Sequence, residues 1–124
     1  MCNREIQRGD IYFCNFAPVV GSEQNGLRPA VIIQNDIGNH YSPTTIVAPL
    51  TTRIKRRLPT HVMVTNRCLK ETSIVLLEQI RTIDKCRLKT YLGQLSKNEM
   101  KSVDDAINIS LGTQEGENNA RVRI

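Results

Sequence analysis

Short apolar runs, separated by polar connections marked with glycine and proline, fill most of the chain, and one longer helical repeat closes it. Ile11-Tyr12-Phe13-Cys14-Asn15-Phe16 follows Gly9-Asp10 and is rich in strand formers, which predicts a first strand. Residues 17–28 hold Pro18, Gly21 and Gly26 and read as a long loop, which in a small domain is more often functional than idle. Residues 29–34 predict a second strand, and the unbroken Ala30-Val31-Ile32-Ile33 run suggests burial on both faces. Residues 35–43 read as a turn-rich connection. Thr44 to Ala48 predicts a third strand, leading through Pro49-Leu50 into Thr51-Thr52. Thr60 to Val64 alternates as a half-exposed strand should, and Ser73 to Leu77 reads as a buried one. Ile80 to Ile83 continues the sheet, and Asp84 to Leu88 reads as a short helical turn.

The clearest helix comes last. Ser96-Lys97-Asn98-Glu99 has the form of a capping box. Met100, Val103, Ile107 and Leu111 then mark one face at helical spacing, and Gly112 suits the C-terminal cap. Residues 113–124 are polar and unpatterned, so a frayed tail is expected after a single domain spanning 1–112. The elements predict a mainly β fold with one late helix packed on it, either a barrel or a sheet.

At 124 residues the chain fits one domain. No apolar run nears the ~20 residues that cross a bilayer, and the N-terminus MCNREIQRGD has no signal-peptide core. A cytoplasmic protein with no membrane partner is expected. The net charge of +5 favours a polyanionic partner. Much of it lies in Arg53, Lys55, Arg56 and Arg57, a stretch that reads equally as a solvated loop or as one that follows phosphates. Cys2, Cys14, Cys68 and Cys86 form no CxxC pair and have no histidine at zinc-finger spacing, so free thiols are expected. Phosphate-binding GxxxxGK[ST] and GxGxxG motifs are missing, and no cofactor is expected.

Polar candidates gather at the predicted strand ends. Arg28 stands at the mouth of an apolar strand behind a glycine-flanked loop, a place that suits a ligand-facing guanidinium. Thr51 follows the third strand, His61 opens the fourth, and Gln79 and Arg81 flank the fifth. His61 has a side chain suited to acid–base work, and reads equally as a sheet residue. His40 lies in a loop and has the weaker case. Phe16 reads as a base-stacking platform or a core residue.

Five segments carry a resemblance: RGDIYF (8–13), PVVGSEQNGLRPAVIIQND (18–36), SPTTIVAPLT (42–51), LPTHV (58–62) and IVLLEQIRTID (74–84). In this order they resemble the MazF/PemK toxin family, and most closely the MazF (EndoA) type of Gram-positive bacteria. The resemblance runs from about residue 8 to 111. It implies an SH3-like barrel of the CcdB/PemK fold, a homodimer, and a MazE-like antitoxin as partner. It also implies a sequence-specific, metal-independent endoribonuclease acting on single-stranded RNA. The family's catalytic pair, an arginine in GxRP and a threonine ending the third strand, matches Arg28 and Thr51.

Chemistry supports the same two residues. Metal-free RNA cleavage makes a 2′-hydroxyl attack its own phosphate, and charge grows on the phosphate oxygens. A guanidinium stabilises that charge with two hydrogen bonds, and a threonine hydroxyl adds another. Base reading needs donors and acceptors that reach unstacked edges. Ser22, Glu23, Gln24, Asn35, Asp36, Gln79 and Arg81 supply them, while Arg53, Lys55 and Arg56 suit the RNA backbone. The 18–36 segment resembles that of toxins with a UACAU-type preference, so the resemblance implies a short site of that kind. The rival readings are a CcdB-like gyrase-poisoning toxin and a basic RNA-binding module without catalysis.

Overall fold

The computed structural model describes residues 4–17, 26–54 and 56–113. The apolar runs become seven strands: β1 (Asp10–Asn15), β2 (Leu27–Ile32), β3 (Thr44–Thr51), β4 (His61–Val64), β5 (Ser73–Leu76), β6 (Arg81–Asp84) and β7 (Leu88–Gln94). Helix α1 (Asp36–Tyr41) links β2 to β3, and helix α2 (Lys97–Leu111) follows β7. Short 3-10 turns at Leu77–Gln79 and Lys85–Arg87 bracket β6. The strand pairs are antiparallel, in the order β4-β5-β3-β2-β1-β7, with β6 also paired to β3.

The expected SH3-like barrel is not what forms: the sheet is open. Among the described residues its terminal strands, β4 and β7, share no ladder. A side chain bridges the two ends instead, for Asn66 Nδ2 donates to Gln94 O at 3.0 Å. One side-chain amide satisfies one carbonyl but cannot propagate a ladder, which needs backbone N–H and C=O groups in register. The β1–β7 pairing also breaks register on both sides of Tyr12, and such irregularities bend an edge. The mixed α+β class with a C-terminal helix stands.

Alternation along β2 gives each sheet face its own core. Val31 and Ile33 join Ile11, Leu50, Val75 and Leu77 under α2, whose Val103 and Ala106 complete the packing. Ala30 and Ile32 face the other way, with Tyr12, Cys14, Val47 and Ile83. The Ala-Val-Ile-Ile run is therefore buried on both faces, as its composition predicts.

At α2, Glu99 N donates to Ser96 Oγ and Ser96 N donates to Glu99 Oε1, closing the capping box. Gly112 ends the helix at φ 68°, a left-handed conformation that glycine adopts without a Cβ penalty. Leu111, expected on the packing face, is 61% exposed. None of the helices in the described residues is long and apolar enough to cross a membrane. The tail predicted at 113–124 lies, beyond Thr113, outside the described residues.

Residues 35–43, expected as a turn-rich connection, contain helix α1. Asn35 Oδ1 accepts from Gly38 N at 2.7 Å and caps α1. The buried Asn39 then ties the helix to the sheet: its Nδ2 donates to Gln34 O, and its Oδ1 accepts from Thr45 Oγ1 at 2.7 Å. A polar network holds this helix, so it leaves no apolar periodicity to read.

Candidate active site

Arg28 is the second residue of β2 and pairs with Cys14 of β1. On its other side β2 meets β3, with Ala30 opposite Pro49. The β2–β3 ladder ends at that pair; Arg28 lies two residues before Ala30, and Thr51 two residues after Pro49. Arg28 shares the face of Ala30 and Ile32, the face that α2 does not cover. Its guanidinium is half-buried, and Nη2 reaches Leu50 O only at 3.5 Å. Among the described residues it has no carboxylate partner. A basic group with most donors uncommitted, on a shaped face, is what an oxyanion needs.

Thr51 ends β3, opposite Ile74 of β5. Its Oγ1 accepts from Arg53 N at 3.1 Å, which turns the chain into the basic loop. The hydroxyl's own contact, to Arg53 O, is 3.4 Å, long for an O–H donor. One lone pair is thus occupied while the proton stays available to a stronger acceptor.

The base of the loop between β1 and β2 is pinned. Phe16 N donates to Gly26 O at 2.8 Å, and Ala17 N donates to Asn15 Oδ1 at 3.0 Å. A Cβ on Gly26 would lie 2.3 Å from Ala17 N, so only glycine permits this closure. Arg87, which no sequence motif singles out, donates from Nη1 to both Asn15 O and Ala17 O at 2.9 Å. Its contacts lie about 70 residues away in sequence, beyond the reach of any local pattern. Ser22, Glu23, Gln24 and Lys55 lie outside the described residues.

The remaining candidates divide. Arg81 opens β6 opposite Val47, which puts it on the Arg28 face, and its guanidinium sits 4.9 Å from the Phe16 ring centroid. Arg53, Arg56 and Gln79 are exposed. Asn35 and Asp36 are not brought to Arg28: they follow the far end of β2, about 20 Å along the strand. Both are engaged there, Asn35 as the cap and Asp36 Oδ1 accepting from Arg8 N at 2.7 Å.

His61 is buried, and both ring nitrogens are taken. Nδ1 accepts from Leu58 N at 3.0 Å, which leaves the proton on Nε2 to meet Glu78 Oε2 at 3.0 Å. Thr60 Oγ1 donates to the other carboxylate oxygen at 2.8 Å. Burial works against ionising Glu78, but the hydrogen bonds from Thr60 and His61 outweigh it and hold the carboxyl below its ordinary range.

Among the described residues no three His, Cys, Asp or Glu side chains gather as a metal site requires. Cys14, Cys68 and Cys86 are free thiols.

Residues 7–111 match the family of PemK-like, MazF-like toxins of type II toxin–antitoxin systems. The chain belongs to that family. Solved structures agree over nearly the whole fold. A mycobacterial endoribonuclease in complex with its cognate antitoxin is 28% identical, with 90% of this chain and 99% of that chain covered at a TM-score of 0.76. A second mycobacterial endoribonuclease is 26% identical over 88% of this chain and 93% of that chain, with a TM-score of 0.71. MazF from Deinococcus radiodurans is 25% identical over 89% and 99%, with a TM-score of 0.73. The toxin's family match starts just before β1 and ends with α2, so it takes in both Arg28 and Thr51.

Proposed function

We propose that the toxin cuts single-stranded RNA at the Arg28–Thr51 pair. It is an endoribonuclease, the toxin half of a toxin–antitoxin system. The observation that supports the site reading is a half-buried Arg28 without a carboxylate partner among the described residues. Its Nη2 reaches only Leu50 O at 3.5 Å, and Leu50 is next in sequence to Thr51, whose hydroxyl has a long donor contact of 3.4 Å. A ribose 2′-hydroxyl gives up its proton and attacks the adjacent phosphorus, the P–O5′ bond breaks, and the departing O5′ takes up a proton, so that 2′,3′-cyclic phosphate and 5′-hydroxyl ends result. Arg28 stabilises the charge that grows on the phosphate oxygens. Thr51 donates to the same group and holds it in line. No step calls on a metal ion. His61 is assigned to the scaffold, since both ring nitrogens are spent within the fold.

Arg53, Arg56 and Arg81 suit the RNA backbone, and Gln79 a base edge. We assign Ser22, Glu23, Gln24 and Lys55 to RNA contact by sequence position alone. A UACAU-type site, a homodimer, a MazE-like antitoxin and a cytoplasmic setting complete the reading.

The test is cleavage of mixed RNA by the purified toxin in EDTA, with the new ends mapped. Persistent cleavage leaving 5′-hydroxyl ends is expected. Arg28→Ala should lower the rate by about 10²-fold or more while the protein stays folded. Cleavage by Arg28→Ala at the wild-type rate would sink the assignment. Gyrase and supercoiled DNA, tested in parallel, report the rival toxin mode.

A further inference from the structure

We propose that Arg87 is a positioning residue that makes Phe16 a platform for Arg81, and so sets Arg81 as a second phosphodiester-binding group beside Arg28. This rests on the reading of the Arg28 face as the RNA face.

The segment Asn15-Phe16-Ala17 is held from three directions. Arg87 Nη1 donates to the carbonyls on both sides of Phe16, each at 2.9 Å. The Phe16 amide donates to Gly26 O at 2.8 Å, two residues before Arg28. Its ring packs against the core of the Arg28 face. A ring fixed this firmly presents a defined surface, and the Arg81 guanidinium lies over it at 4.9 Å. Stacking of this kind orients the guanidinium plane without using any of its N–H donors. Arg81 is exposed and, among the described residues, its side chain has neither a hydrogen bond nor a carboxylate partner. The result is a planar cation with its donor edge free, on the same face as Arg28 and Thr51. The group it fits is a phosphodiester oxygen pair, which a guanidinium binds through two parallel hydrogen bonds.

One structural segment therefore serves both cations. Through the Phe16–Gly26 hydrogen bond it bears on the start of β2, and through the ring it bears on β6. A structural arginine would need only to close the loop; it would not need a stacked, unpaired guanidinium at the other end of the contact.

The test uses full-length toxin and a single-stranded oligoribonucleotide that wild type cleaves. Arg81→Ala should raise KM by about tenfold and reduce the salt dependence of KM by about one ion. Arg87→Ala and Phe16→Leu should each raise KM in the wild-type background, with the loss falling on KM rather than kcat. In the Arg81→Ala background both should have little further effect, because the group they orient is gone. Arg87→Lys, which keeps the charge but not the guanidinium, covers the case in which Arg87→Ala fails to fold. Additive losses in the double variants, or a Phe16→Leu enzyme with wild-type KM and salt slope, would overturn the proposal. Arg28→Ala serves as the control: if it cleaves normally, the RNA-face reading fails, whatever the cycle shows.

Discussion

At the level of single residues, the proposed Arg28–Thr51 pair is argued from what each group leaves unused. Arg28 has one long contact to Leu50 O, and Thr51 has a proton with no close acceptor. Thr51→Val keeps the shape but removes that proton and the acceptor for Arg53 N. We expect kcat to fall by about 10²-fold, as for loss of one oxyanion donor, with Thr51→Ser retaining most activity. Single-turnover cleavage of an oligoribonucleotide checks it, and equal rates for the two variants would exclude a donor role. The thiols offer a second residue-level contrast. Burial pushes the Cys14 thiol up to about 12, whereas Cys86 is exposed. At pH 8 iodoacetamide should modify Cys86 in the folded toxin and leave Cys14 intact, as peptide mass spectrometry would show. Arg28 stands out in the sequence because a charge at the mouth of an apolar run is a local anomaly. The environment of His61 does not, since its partner Glu78 is 17 residues away.

Among the elements, β4 and the turn after β5 are tied by the Thr60–Glu78–His61 cluster, and His61 extends the tie to Leu58 at the end of the basic loop. Folding lowers the Glu78 pKa below its ordinary 4.5. The sign follows: ionised Glu78 stabilises the fold fully above pH 4.5, and the contribution is lost as pH falls through the lower folded value. Wild type should therefore melt above Glu78→Gln at neutral pH, with the gap closing on acidification below pH 4.5. A gap that stays constant through that range would mean that ionisation of Glu78 is not its source. Elements with an apolar signature were readable in advance, including β2 on both faces and the capping box of α2. Two were not. Helix α1 is held by Asn39 and its polar partners, and β7 is an edge strand with most of its side chains exposed. Neither buries enough apolar surface to imprint a period on the sequence.

At the scale of the whole molecule, the described residues form an open sheet with one face under a helix and the other carrying the proposed site, and closure into a barrel is not readable from the sequence. Whether the last strand meets the first depends on backbone registers that no side-chain pattern encodes. Charge, by contrast, is a whole-molecule property that composition reports directly. The net +5, with Arg28, Arg53, Arg56 and Arg81 carrying the site reading, makes this toxin attractive to any flexible polyanion. RNA is one, and an acidic antitoxin segment is another. If both use the Arg28 face, each must exclude the other, and both must weaken as salt screens the attraction. Titrating an acidic antitoxin peptide against a fluorescent oligoribonucleotide on Arg28→Ala, whose slowed cleavage is expected to leave the RNA intact over the titration, measures this. The peptide should displace the RNA fully, and raising salt should weaken both affinities in parallel. A ternary complex, with RNA anisotropy unchanged at saturating peptide, would place the antitoxin elsewhere and make inhibition a matter of conformation rather than of charge.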